Sequence, residues 1–243
     1  MDMHPLRFLL DLLLPAACSY CRSSVSGSPV PFLCSQCWSE LAQMRGPVCP
    51  DCGKPFGSAE TLVQSPGHVC RSCRERPNHF DQALAAGLFE GPLREAIHVF
   101  KYRPLRALAE PLGAWMVEQV RLVHPLDRVL PVPLHRTRLR KRGFNQALLL
   151  ADVVSRRFSL GLDYDNLIRS RPTRPQVELT GPERSQNVYG AFELKRPGAV
   201  AGMRLLLVDD VFTTGATLNE CSRVLKAAGA ESVTAFTAAR TME

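Results

Sequence analysis

Eight of the nine cysteines lie in the first third of the chain as four C-x-x-C pairs: Cys18/Cys21, Cys34/Cys37, Cys49/Cys52 and Cys70/Cys73. Two thiolates from one tight turn reach the same tetrahedral ion at about 2.3 Å, so two such turns fill one coordination sphere. The surrounding sequence is rich in Pro, Ser and Gly and poor in long periodic apolar segments. A stretch like this cannot build an adequate core from side chains alone and needs staples. Structural zinc fits the spacing best. Disulfides need an oxidising compartment, iron–sulfur ligation often uses other spacings, and four redox pairs in one short segment would be odd. Joining neighbours puts Cys18, Cys21, Cys34 and Cys37 on one zinc and Cys49, Cys52, Cys70 and Cys73 on another; an interleaved arrangement also satisfies the spacing. Either way all four positions of each ion are thiolates, which leaves no open site for catalysis. In "CPDCGK", Gly53 permits the backbone dihedrals that turn amides toward the sulfurs.

The opening "LRFLLDLLLPAACSYC" has an apolar run before small residues and a cysteine, and invites a test as an export signal. It lacks a Lys/Arg cluster, Asp11 interrupts the run, and Pro15 sits where a lipoprotein box wants an aliphatic residue. No later segment approaches the roughly 20 apolar residues of a membrane span. The expected location is cytoplasmic.

From "FDQALAAGLFEG" onward strands alternate with helices. "ALAAGLFEG" and "DRVLPVPL" have strand character, while "LREAIHVFKY", "RALAEPLGAWMVEQVRLV" and "FNQALLLADVVSRRF" carry helix-spaced apolar positions. "MRLLLVDDV" is a continuous apolar run, as in a strand buried on both faces of a parallel sheet. "GATLNECSRVLKAAGA" reads as a helix closed by Gly229, and "SVTAFTAAR" as a final strand. With 45% apolar residues across 243 positions there is ample material for a core. The pattern predicts an α/β fold with a mainly parallel sheet, its ligand beyond the carboxyl ends of the strands. Cys221, inside the helix, is most simply a small core residue.

In that geometry Asp209 and Asp210 leave a buried strand, and the chain turns through Thr213, Thr214, Gly215, Ala216 and Thr217 into a helix. A helix N-terminus behind a Thr/Gly turn is an anion site. No Gly-Lys-Ser/Thr occurs, which excludes a P-loop, and G-x-G-x-x-G is absent. A single phosphomonoester remains. The adjacent carboxylates suit vicinal sugar hydroxyls or a hydrated magnesium, and a phosphate beside a diol describes a ribose 5-phosphate.

"LLLVDDVFTTGAT" resembles the signature of type I phosphoribosyltransferases, which bind phosphoribosyl pyrophosphate (PRPP). The likeness extends over nearly the whole chain to the ComF/GntX-like family: paired cysteines, "FKY", "PVPLHRTRLRKRGFNQA", "RPTRPQVELTGPERSQNVYGAF" and the PRPP motif occur in that order. The resemblance implies an N-terminal helix and double zinc ribbon in residues 1–79 and a phosphoribosyltransferase-like domain in residues 80–243. It implies that Thr213 to Thr217 cradle the 5-phosphate, that Asp209 and Asp210 hold the ribose hydroxyls with catalytic effect, and that Lys101 and Tyr102 lie where pyrophosphate binds with Mg²⁺. Lys101 also reads as an ordinary solvated helix end.

The chain carries a net charge of +7, much of it in the run Arg136, Arg138, Arg140, Lys141 and Arg142. Clustered arginine suits a flap over pyrophosphate, a nucleic-acid patch, or a solvated surface. Asn145 and Gln146 read as substrate contacts or helix-capping polars. "RPTRPQVELTGPERSQNVYGAF" has too many breaks for one helix and reads as a hood, with Arg171, Gln176, Arg184 and Asn187 as candidate contacts or interdomain bridges. His98, His124 and His135 are isolated and read as packing or surface residues.

Two functions follow from the resemblance. One is Mg²⁺-dependent transfer of phosphoribosyl from PRPP to an unidentified nitrogen nucleophile. The other is a non-catalytic competence or DNA-uptake factor that binds single-stranded DNA or a helicase, PRPP being a regulator or vestigial ligand. Trp38 is a weak candidate for base stacking in the latter.

Overall fold

The computed structural model describes residues 17–28, 30–57, 67–102, 106–122, 124–174 and 180–242. The expected N-terminal helix and Gln176 lie outside them. Two short helices, α1 (Ser35–Ser39) and α2 (Arg71–Glu75), each begin at a cysteine of the paired set, Cys34 and Cys70. After them come β1 (Gln82–Leu88), α3 (Gly91–Tyr102), α4 (Ala109–Gln119), β2 (Arg128–Pro131), α5 (Arg136–Arg142), α6 (Gln146–Phe158) and β3 (Gly161–Leu162). The chain then forms β4 (Leu167–Arg169), α7 (Gly181–Val188), β5 (Phe192–Leu194), β6 (Arg204–Phe212), α8 (Ala216–Ala227) and β7 (Ser232–Arg240).

Five strands make one parallel sheet in the order β1-β7-β6-β2-β3. The central strand β6 pairs with β7 from Arg204↔Ser232 to Phe212↔Arg240, and with β2 from Arg128↔Leu205 to Pro131↔Val208. Leu205 to Val208 are fully buried, as a strand covered on both faces requires. Alternate residues serve two cores. Leu206 and Val208 pack with Leu93, Ile97, Leu112 and Leu150 of α3, α4 and α6; Leu205 and Leu207 pack with Cys221 and Leu225 of α8. Truncating any of these leucines to alanine would cost about 2–5 kcal/mol. The sheet reverses direction of growth between β2 and β6, the place where an open α/β sheet leaves a crevice at its carboxyl edge.

β4 and β5 form a separate antiparallel pair, joined through α7. This is the hood expected from the broken "RPTRPQ…" segment. A capping box between Thr180 and Glu183 starts α7, and Glu220 of α8 accepts the Gly190 amide at 2.8 Å, fixing the hood to the main body.

The cysteine-rich segment grips the edge of β1. Leu88 and Ala83 donate amides to the Ala42 and Asp51 carbonyls at 2.8 and 2.7 Å, and the Met44 amide donates to Ala86 at 3.0 Å. These bonds satisfy an edge that would otherwise be open. The first cysteine cluster packs on Ala96 of α3, and the second joins the α8-side core beside Phe80 and Phe212, so the two clusters lie on opposite faces of the sheet. Trp38 is partly buried between the first cluster and the neighbouring core, a packing role rather than a free stacking platform.

Candidate functional site

The thiols come together as neighbouring pairs. Cys18, Cys21, Cys34 and Cys37 form one group and Cys49, Cys52, Cys70 and Cys73 the other, with the sulfurs of each within 4.8 Å of one another. Cys21 and Cys34 Sγ are 3.6 Å apart, and Cys52 and Cys70 Sγ 3.7 Å. A tetrahedron with 2.3 Å metal–sulfur bonds has an edge of about 3.8 Å, so both groups fit zinc. Hydrogen bonds from Ser23 pull the Cys21 thiol down to about 6, while burial pushes Cys52 up to about 11 and Cys37 and Cys73 further up. Four thiols this close cannot all ionise without a cation among them.

Gly53 shows why the second knuckle needs glycine: its φ is +68°, and a Cβ there would meet the Ala83 carbonyl oxygen at 2.6 Å. Arg240, at the end of β7, is 4% exposed. Its guanidinium donates to the Cys52 carbonyl at 2.6 Å, approaches Cys52 Sγ at 3.7 Å and stacks over Phe212 at 4.2 Å. Phe212 in turn abuts Gly215, where a Cβ would meet its ring at 2.5 Å. The second cysteine cluster thus packs continuously onto the polar turn after β6.

That turn borders a cavity of about 880 Å³ at the β2/β6 crevice. Lys101, Tyr102, Arg138, Arg142, Asn145, Gln146, Arg184, Asp209, Asp210, Thr213 and Thr217 all line it. Thr214, Gly215 and Ala216 form the turn behind this wall; Gly215, at φ +77°, is the N-cap of α8, and Thr214 Oγ1 accepts the Ala216 amide at 3.4 Å. The α8 dipole therefore presents its positive end to the turn.

The pleat sends the two carboxylates to opposite faces. Asp210 pairs with Lys101 Nζ at 2.9 Å on the α3 side. Asp209 lies on the α8 side, where Arg169 and Cys221 feel its charge. It accepts the Asp210 amide at 2.8 Å. Burial, and then the adjacent Asp210 carboxylate, push the Asp209 carboxyl up to about 7. Cys221 is fully buried in the core, and burial holds its thiol well above the usual range.

The basic run is a helix, α5, closed by Gly143. Its polar neighbours combine structural and lining roles. Arg142 donates to Gln146 Oε1 at 2.9 Å and stands over the Tyr102 ring at 5.7 Å; Gln146 reaches the Lys101 carbonyl at 3.4 Å. Asn145 caps α6 through the Ala147 amide at 3.1 Å and donates to the Val132 carbonyl at 3.0 Å. Arg138 ties α5 to the hood through the Thr173 and Arg174 carbonyls at 3.2 and 2.9 Å.

Two hood candidates serve the hood itself. Arg171 donates to the Asn187 and Tyr189 carbonyls at 3.1 and 2.7 Å, and Asn187 exchanges two hydrogen bonds with the Arg174 backbone. The histidines take local roles: His98 packs on Tyr102 and His135 caps α5. Sequence reasoning missed Arg169 and Thr173, both in the cavity wall. No spacing distinguishes Arg169 from the other arginines near it; only the short β4 pairing buries it.

Residues 9–74 match the family model described as a double zinc ribbon domain, and residues 145–243 that of a phosphoribosyl transferase domain. The "DNA utilization protein YhgH" of Salmonella typhi is 30% identical over 237 residues, covering 95% of this chain and 100% of that protein. "Competence protein F" of Haemophilus influenzae is 30% identical across 92% of this chain and 96% of its own. "Competence protein ComFC" of Bacillus subtilis is 30% identical across 86% and 84%.

Proposed function

The chain belongs to the ComF/GntX-like family, with a phosphoribosyltransferase fold behind two four-cysteine zinc-ribbon sites, and on that premise we propose that it binds PRPP with Mg²⁺ and transfers its phosphoribosyl group to a nitrogen nucleophile. The observation that carries this reading is the convergence of Asp209, Asp210, Lys101, Arg142 and the Thr213–Thr217 turn on one cavity. The α8 N-terminus and the threonines receive the 5-phosphate. Asp209 and Asp210 accept hydrogen bonds from the ribose hydroxyls and sit where the sugar turns cation-like. Lys101, kept at the site by Asp210, and Arg142 with Arg138 take the diphosphate.

The carboxylates offer the hard oxygen donors that suit hydrated Mg²⁺; when bound, the ion neutralises charge on the departing diphosphate. The bond from nitrogen to the anomeric carbon forms as the bond to the diphosphate oxygen breaks. Pyrophosphate leaves with the electron pair, and the nitrogen's proton passes to water. Residues 1–79 act as the zinc module and 80–243 as the transferase domain. Eight thiols held as metal ligands fit a reducing cytoplasm, and no helix among the described residues is long and apolar enough to cross a membrane.

A second reading is favoured by the names of the relatives: a competence or DNA-uptake factor that binds single-stranded DNA or a helicase, with PRPP as regulator. Pyrophosphate release measured across a panel of nucleobases and single-stranded DNA separates the two. Turnover that depends on an acceptor supports the enzyme; tight DNA binding without pyrophosphate release overturns it in favour of the factor.

A further inference from the structure

Arg169 is a buried cation in the cavity wall, and no carboxylate of the described residues forms an ion pair with it. It ends β4, is 7% exposed, and its Nε–H has no hydrogen-bond partner among the described residues. Its Nη2 donates to Thr173 Oγ1, and its guanidinium lies over the Phe192 ring at 5.1 Å. Burial, followed by the positive charge of Arg138, lowers its pKa to about 10, which still leaves it charged at neutral pH. Burying a cation this way is unfavourable unless something answers the charge.

The surroundings say what that is. Arg138 and Arg171 add like charge near Arg169, and Arg184 lines the same cavity. A neutral ligand leaves the positive potential of this wall unanswered; an oxyanion meets it with charge. Of the two groups that oppose this charge, Cys221 is a buried thiol that stays protonated, and Asp209 is committed to the ribose in the PRPP reading. Arg169 also lines an adjoining cavity of about 770 Å³, which shares Phe144 and Asn145 with the first. It therefore stands where the PRPP half of the site meets additional space for an acceptor.

We propose that Arg169 selects the acceptor, and that the acceptor is a nitrogen nucleophile carrying an oxyanion, a carboxylate or a phosphate, seated against this guanidinium. The inference rests on the PRPP reading of the same cavity. Arg169 acts on specificity: Thr173 holds one edge of the guanidinium and Phe192 supports its face, which fixes the charge in the cavity wall where a ligand meets it.

The test uses the full zinc-loaded protein, saturated with PRPP and Mg²⁺, in equilibrium dialysis against two matched probe pairs. Nicotinate and nicotinamide differ by a carboxylate charge; thymidine 5′-monophosphate and thymidine differ by a phosphate. In the unmodified protein the anionic member of at least one pair binds about tenfold or more tightly than its neutral partner, the scale of a charge-assisted hydrogen bond. The pair that shows the preference identifies the source of the charge. In Arg169→Gln the preference falls below about twofold while PRPP affinity is retained. Thr173→Val, which only releases Nη2, lowers the preference by about threefold and serves if Arg169→Gln does not fold. Equal binding within both pairs by a protein that binds PRPP overturns the proposal, as does a preference that survives Arg169→Gln. Failure of the unmodified protein to bind PRPP overturns the site reading itself, and is distinguishable because that titration is run first.

Discussion

Replacing Asp209 with asparagine should stabilise the ligand-free protein at neutral pH. The carboxyl titrates ordinarily at 3.8 and is held at about 7 in the fold, first by burial and then by Asp210. Between those values the folded chain keeps a proton that the unfolded chain has lost. Stability therefore falls as pH rises through the window, and the contribution present below pH 3.8 is gone above about 7. At 1.36 kcal/mol for each pH unit the loss is at most about 4 kcal/mol. Lys101 offsets part of the Asp210 charge, at 2.9 Å, and the cavity admits water to the Asp209 carboxylate. About 2 kcal/mol is the expected effect. Asp209→Asn keeps the shape and removes the ionisation. Urea unfolding from pH 4.5 to 8 should show the variant gaining on the unmodified protein by about 2 kcal/mol across the range, with no further gain above pH 7. A constant difference between the two proteins, or one that shrinks with rising pH, would refute the argument that burial of the acidic pair stores unfavourable energy for the ligand to relieve.

Other perturbations test the parts that support this pair. Gly215→Ala forces a side chain into φ +77° with its Cβ 2.5 Å from the Phe212 ring; it should cost about 1–2 kcal/mol in urea unfolding and weaken PRPP binding. Arg240→Met removes the donor to the Cys52 carbonyl, so competition with a chromogenic chelator should show about 10–100-fold weaker zinc binding at the second cluster and unchanged binding at the first. Metal analysis should find about two zinc ions per chain, and about one after Cys21→Ser with Cys34→Ser, since each cluster is a closed four-thiolate set.

Much of this architecture is legible in the letters because local and global signals agree. The run Leu205–Val208 is apolar at every position and is buried on both faces, and the four C-x-x-C pairs close as neighbours. Thr213 and Thr217 follow the strand directly, so the position of the turn comes with the position of β6. The hood is different. Arg171 and Asn187 look like ligand contacts in the sequence, yet they spend their hydrogen bonds on hood carbonyls and on the Arg174 backbone. Arg169, two residues away from Arg171, faces the cavity instead. That division depends on a three-residue antiparallel pairing, Leu167↔Leu194 to Arg169↔Phe192, which joins segments far apart in the chain and carries no periodic signal. The grip of the zinc module on β1 is hidden for a similar reason: it uses backbone groups of residues 42, 44 and 51, whose side chains say nothing about it.

The proposed function stands or falls with PRPP binding in the cavity at the carboxyl edge of β6. Calorimetric titration of PRPP with Mg²⁺ into the zinc-loaded protein, repeated with Asp209→Ala plus Asp210→Ala, addresses it most directly. Saturable binding by the unmodified protein is expected, with a loss of about 100-fold or more in the double variant, because two charged acceptors are removed. No binding by the unmodified protein, or equal binding by both, contradicts it.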